Sequence, residues 1–161
     1  MDLTQARNIA EHILTLLSPF CQRSEIAGSV RRSKPAVGDI EIVVMPKDDL
    51  FEFSMPILFD GCKFIKNGPR YKQITLPGGI NLDLFIVLPP AQWGVIFTLR
   101  SGPESFSRKC VTKRSGGGLL PSNCMVRDGQ VWQNGEPLSM PQEEDFLSFI
   151  GVADLAPMDR E

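Results

Sequence analysis

The sequence predicts an α+β chain, on three observations. Apolar residues near the start (Ile9, Ala10, Ile13, Leu14, Leu17) recur at helical spacing. The middle of the chain breaks into short apolar or alternating runs divided by tight-turn residues, as paired strands do. After Pro89-Pro90 both patterns recur on a smaller scale, so the proline pair predicts a boundary between a domain of residues 1–88 and a subdomain of residues 89–161.

The elements follow in order. Residues 3–17 form an amphipathic helix with Thr4 as N-cap, ended by Pro19. Glu25 to Ala27 is a short strand, and Asp39 to Met45 is the first long one. Residues 47–59 combine acids and large apolar side chains around Pro56, a helix with a connecting loop. The runs CKFIK and YKQITL, separated by Asn67-Gly68-Pro69-Arg70, predict a hairpin. Pro77-Gly78-Gly79 turns the chain into a strand over residues 80–88. Beyond the proline pair, helices are predicted from Ala91 to about Thr98 and from near Glu104, with a Ser-Gly-Pro turn between them. Asp128-Gly129 and Asn134-Gly135 mark a small hairpin, and a short acidic helix lies near the C-terminus.

Composition bounds the function. The chain has 161 residues, 42% hydrophobic and 22% charged, enough for one core or one core with a small appendage. No apolar run approaches the roughly 20 residues that span a bilayer, and MDLTQARN lacks the features of a signal peptide, which predicts a cytoplasmic protein without membrane association. The four cysteines (Cys21, Cys62, Cys110, Cys124) have no metal-binding spacing and only His12 to accompany them, so free thiols are expected and zinc is not. A net charge of −2 argues against an extended nucleic-acid-binding surface. Basic residues nevertheless gather at Arg31–Lys34, Lys63–Lys72 and Arg100–Arg114, which permits a basic groove on an acidic body and weak, salt-sensitive binding.

The densest chemistry lies in residues 27–45, AGSVRRSKPAVGDIEIVVM. In an extended strand residues i and i+2 share a face, so Asp39 and Glu41 stand together while Ile40, Ile42 and Val44 face the other way. Two such anions repel and need open water or a divalent cation; hard oxygen ligands suit Mg²⁺ or Mn²⁺ better than zinc. Taken alone, DIEIVV also reads as an ordinary half-buried strand with its acids in solvent. What precedes it tips the balance. Gly28-Ser29 offers backbone N–H groups and a hydroxyl at close approach, and the forks of Arg31 and Arg32 match phosphate oxygens. Further on, Asp83 is the only charge in INLDLFIVL, a costly position unless it faces a cleft or is paired. It is either a third metal ligand or the acceptor of a salt bridge from Arg70 or Lys72.

The string G-S-x-R-R, six intervening residues including Gly38, then D-x-[DE] and an apolar run resembles the active-site signature of the nucleotidyltransferase superfamily, and in detail that of the family X (polymerase beta-like) DNA polymerases. The match over Gly28 to Val44 needs no gap, with Glu41 where the family normally has a second Asp. Asp83, in the pattern apolar-Asp-apolar, fits the family's third carboxylate. The resemblance runs on to Arg160, without an N-terminal lyase domain or helix-hairpin-helix segment, as in the shortest viral members.

The resemblance implies a palm over residues 1–88, with a mixed or antiparallel sheet and helices on one face, and a small α+β thumb-like subdomain over residues 89–161. It implies transfer of a nucleotide from a (d)NTP to a nucleic acid 3′-hydroxyl, with two Mg²⁺ ions, or Mn²⁺ in their place, held by Asp39, Glu41 and Asp83 as the catalytic carboxylates. Gly28, Ser29, Arg32 and Gly38 would hold the nucleotide, together with Arg100, Ser101, Gly102, Glu104 and Ser107 from the second part. Leu99 and Arg100 replace the aromatic pair that in the family lies against the sugar, which leaves sugar choice open. Lys72, Arg108, Lys109, Lys113 and Arg114 are the expected nucleic-acid contacts, although the last four also read as a solvated helix face, and Val111 stands where the family has a basic residue. The expected partners are a nucleoside triphosphate and primer–template or gapped DNA, bound by a monomer. Untemplated transfer to a nucleic acid end or another acceptor, and a non-catalytic nucleotide or nucleic-acid binder, are the competing readings.

Overall fold

The structure, a computed structural model, describes residues 1–161. It is an α+β fold whose chain divides into two compact units, Met1–Leu88 and Pro89–Glu161. No helix is long and apolar enough to cross a membrane.

The first unit opens with α1 (Leu3–Leu17), which buries Ala6, Ala10, Ile13 and Leu17. Its N-cap is Asp2 rather than Thr4: Asp2 is extended, and its carboxylate accepts the N–H of Gln5 at 3.0 Å, satisfying one of the helix's orphan donors. A single 3₁₀ turn through Pro19 follows, and strand β1 (Cys21–Ile26) starts at once, earlier than the sequence suggests. A one-turn helix, α2 (Gly28–Arg31), leads to β2 (Asp39–Pro46). Helix α3 (Leu50–Leu58) runs through Pro56 instead of stopping there. The hairpin β3 (Lys63–Asn67) and β4 (Tyr71–Thr75) precedes β5 (Asn81–Ile86).

The strands form one mixed sheet in the order β1-β2-β5-β4-β3. Only β2 and β5 run parallel. One face carries Ile40, Ile42, Val44, Ile74, Leu82, Leu84 and Ile86, packed with Ile13 and Leu17 of α1 and Phe51 and Met55 of α3 in a single core. Strand alternation therefore sends Asp39, Glu41, Gln73 and Asp83 to the other face. Phe53 and Ile57 of α3 stay exposed on its outer side.

The second unit packs α4 (Trp93–Ser101), α5 (Glu104–Val111) and α6 (Glu143–Phe149) with a three-stranded antiparallel meander, β6 (Cys124–Arg127), β7 (Gln130–Gln133) and β8 (Glu136–Leu138). The sequence predicts one hairpin here. There are two, because Asp128-Gly129 and Asn134-Gly135 both adopt positive φ at each residue and close two-residue turns. Val95, Phe106, Cys110, Leu120, Val131, Met140, Phe146 and Leu147 fill the core. Gly94 has no room for a side chain, since a Cβ would lie 2.1 Å from the carbonyl oxygen of Gln142, and this lets α4 approach the start of α6.

Candidate functional site: a carboxylate face beside a glycine-serine turn

The parallel register of β2 and β5 builds the site. Glu41 lies directly across from Asp83, and Asp39 across from Asn81 one step along the same face. Neighbouring strands are about 4.8 Å apart, so three acids from two strands share one small patch of sheet. Their charges interact. Burial first, and then the charge of Asp83, raises the Asp39 carboxyl above its ordinary value of 3.8, while a hydrogen bond from its own backbone and the nearby guanidinium of Arg32 pull the other way.

Asp83 is only 9% exposed, and it is not salt-bridged to Lys72. Its Oδ1 accepts two hydrogen bonds from β4, one from the hydroxyl of Tyr71 at 2.8 Å and one from the amide of Gln73 at 2.9 Å. Gln73 stands opposite Asp83 in the antiparallel β4–β5 register, and the Tyr71 ring stacks on Phe85 with centroids 5.2 Å apart. Neither residue stands out in the sequence. The signal was present, since Tyr71-x-Gln73 has the two-residue repeat that puts both side chains on one face, but their partner follows only from the register.

Lys72, between them, points to the opposite face and is 2% exposed. Its ammonium is held by Glu52 at 2.9 Å, Asn67 at 2.7 Å and the carbonyl of Gly68 at 3.2 Å. The expectation that Lys72 contacts nucleic acid is therefore corrected: strand alternation places it under the sheet, where it ties α3 to the β3–β4 hairpin.

Gly28 opens α2 at φ +58°, in the left-handed region that glycine alone enters freely. A Cβ there would lie 1.6 Å from Oε2 of Glu41, so the Glu41 side chain occupies the space that the missing side chain leaves. Ala27 anchors the approach by donating its N–H to the carbonyl of Glu41 at 2.8 Å. Val30 and Val37 pack with Ala6 of α1, which fixes the turn against the helix. The hydroxyl of Ser29 is buried and makes no hydrogen bond within the chain. Gly38 is exposed, and a Cβ there would meet nothing, so no atom of this chain requires its small size.

The donor set consists of hard carboxylate oxygens with a half-buried acid, Asp39, that a cation would favour in its ionised form. It fits a divalent ion in kind. It is not drawn tight, because nowhere in the chain do three acidic, histidine or cysteine side chains sit close enough together to hold one ion. Glu41 rests against Gly28, and Asp83 is held toward β4.

The remaining expected site residues belong to the second unit. Ser101 ends α4 and is fully buried, rather than lying in an open turn. A Cβ on Gly102 would come within 2.3 Å of the Phe106 ring, a packing reason for glycine. The Ser107 hydroxyl donates to the carbonyls of Leu99 and Pro103. Arg100 is exposed near the end of α4. Glu104 pairs with Arg108 one turn on. Glu104, Arg108 and Lys109 line an open depression of about 550 Å³ together with Gly116–Gly118. Lys113 and Arg114 are exposed at the following 3₁₀ turn. The four thiols are free, and burial pushes those of Cys21 and Cys110 up to about 11 and about 12.

Compared with models of known protein families and with curated proteins, the sequence matches none.

Proposed function

We propose that the chain is a metal-dependent nucleotidyltransferase of the polymerase type, which joins a nucleotide from a (d)NTP to a nucleic acid 3′-hydroxyl and releases pyrophosphate. The observation that carries this reading is the register that sets Glu41 opposite Asp83, with Asp39 beside them, on the sheet face next to the Gly28-Ser29 turn. It is the arrangement that the resemblance to family X polymerases calls for.

Under this reading Asp39, Glu41 and Asp83 would hold the divalent ions. Bound ions would supply charge neutralisation and a lowered pKa for that hydroxyl. The chain's own residues do the rest. The buried Ser29 hydroxyl and the first-turn N–H groups of α2 are donors for phosphate oxygens, and the Arg32 guanidinium offsets the negative charge of Asp39 and of a triphosphate. Positioning and electrostatics dominate phosphoryl transfer, so no side chain need relay protons in bulk.

One observation favours a second reading, a nucleotide or nucleic-acid binder without turnover: the three acids are not gathered into one coordination sphere. Primer extension on gapped and open template DNA, with Mg²⁺ or Mn²⁺ and with deoxy- and ribonucleotides, tests both. Template-matched extension supports a polymerase, extension without a template supports a terminal transferase, and binding without incorporation supports the second reading.

A further inference from the structure

Tyr71 and Gln73 both donate to the same atom of Asp83, and no residue of the chain donates to Oδ2. Both donors are neutral. A lysine or arginine in their place would fix the carboxylate equally well but would repel a cation brought to it; a hydroxyl and an amide orient the group without that penalty. Both also sit on a strand paired with β5 along its length, and the Tyr71 ring is braced on Phe85, so neither donor swings away readily.

We infer that Tyr71 and Gln73 are positioning residues that leave Asp83 only one oxygen for a divalent ion, and that they bias the site toward Mg²⁺ over the larger Ca²⁺. The inference rests on the nucleotidyltransferase reading and deepens it. Mg²⁺ is small, insists on octahedral geometry and accepts single carboxylate oxygens, whereas Ca²⁺ takes more ligands and readily accepts both oxygens of one carboxylate. A carboxylate whose second oxygen is already engaged by two protein donors suits the first ion and handicaps the second.

The test is binding of Mn²⁺ to the purified chain, read from the electron paramagnetic resonance of the free ion, with Mg²⁺ and Ca²⁺ as competitors. Tyr71→Phe, which removes one oxygen and keeps the ring, is compared with the double variant Tyr71→Phe/Gln73→Leu and with wild type; circular dichroism checks that each is folded. Loss of hydrogen bonds that orient a metal ligand costs about 10- to 100-fold in affinity. The expected result is that Mg²⁺ competes about tenfold less well in Tyr71→Phe while Ca²⁺ competes as well or better, with a larger change in the double variant. A Mg²⁺-to-Ca²⁺ ratio that stays at the wild-type value in both folded variants overturns the inference. Should wild type extend a primer under those circumstances, the inference alone fails. If wild type binds no Mn²⁺, the inference and the nucleotidyltransferase reading fall together.

Discussion

At the scale of single residues, Asp39 carries the clearest electrostatic signature. Its carboxyl is raised by burial and by Asp83. A raised acid binds protons more readily in the folded chain than in the unfolded one, so the folded state loses stability as pH climbs from the ordinary value of 3.8 through the raised one. Asp39→Asn removes that loss. In the absence of divalent ions the variant should therefore melt at a higher temperature than wild type at pH 7, with the gap closing as pH falls below about 4. Thermal melts across pH check this, and a variant less stable than wild type at pH 7 would contradict it. Adding Mg²⁺ should reverse the order, because an ion that binds only the folded chain stabilises it by mass action.

Gly28 is the second residue with a definite expectation. Alanine there is strained at positive φ and collides with Glu41, so Gly28→Ala should cost more than about 1 kcal/mol in a denaturant titration. Glu41→Ala in the same chain removes the colliding carboxyl and should restore part of that loss. If the two substitutions simply add, the contact is not what makes glycine necessary.

At the scale of elements, two ion pairs built on a buried cation tie helices in place, one in each unit. Lys72 of β4 meets Glu52 of α3, and Arg160 meets Glu143 of α6 at 2.7 Å with both side chains nearly inaccessible. Removing one partner of a buried pair leaves the other charge uncompensated, which typically costs roughly 3–5 kcal/mol. Arg160→Met should fall in that range, and a loss below about 1 kcal/mol would show that the pair is wet in solution. Glu52 is about half exposed, so Lys72→Met should cost less; under the proposed function it should also leave nucleic-acid affinity unchanged, whereas Arg108→Ala, at an exposed site, should weaken it and flatten its salt dependence. Filter binding at several salt concentrations separates the two cases.

Elements with strong local signals were legible in the sequence. The 3.6-residue spacing of Ile13 and Leu17 gave α1 its span, and Asp-Gly and Asn-Gly marked both turns of the meander. The limits are equally physical. Thr4 and Asp2 are both good caps by residue type, and only the extended backbone at Asp2 decides between them. Lys72 differs from expectation because a single basic residue in a strand carries no sign of which face it joins until the register is known. Tyr71 and Gln73 escaped notice for the same reason, since their partner lies ten or more positions away.

At the scale of the whole molecule, the first unit separates its labour by face. The side covered by α1 and α3 holds an apolar core of Ile, Leu, Val and Phe side chains; the side with Asp39, Glu41 and Asp83 holds mutually repelling charge. Such a concentration of acid lowers stability unless something offsets it, and the proposed reaction supplies that offset as bound cations. The sequence made this face legible because its acids alternate with core residues two apart. The parallel β2–β5 pairing that brings the third acid alongside follows from the long crossover between the strands, which no local pattern announces.

The most direct measurement of the central claim is incorporation of one labelled nucleotide onto a primer in a single turnover, with Mg²⁺ or Mn²⁺, by wild type and by folded Asp39→Asn. The account predicts an extended primer for wild type and a rate lower by at least about 100-fold for the variant, as expected when charge stabilisation at a transferring phosphoryl group is lost. Equal rates in the two proteins, or a wild type that binds nucleotide and DNA yet never joins them, would contradict it.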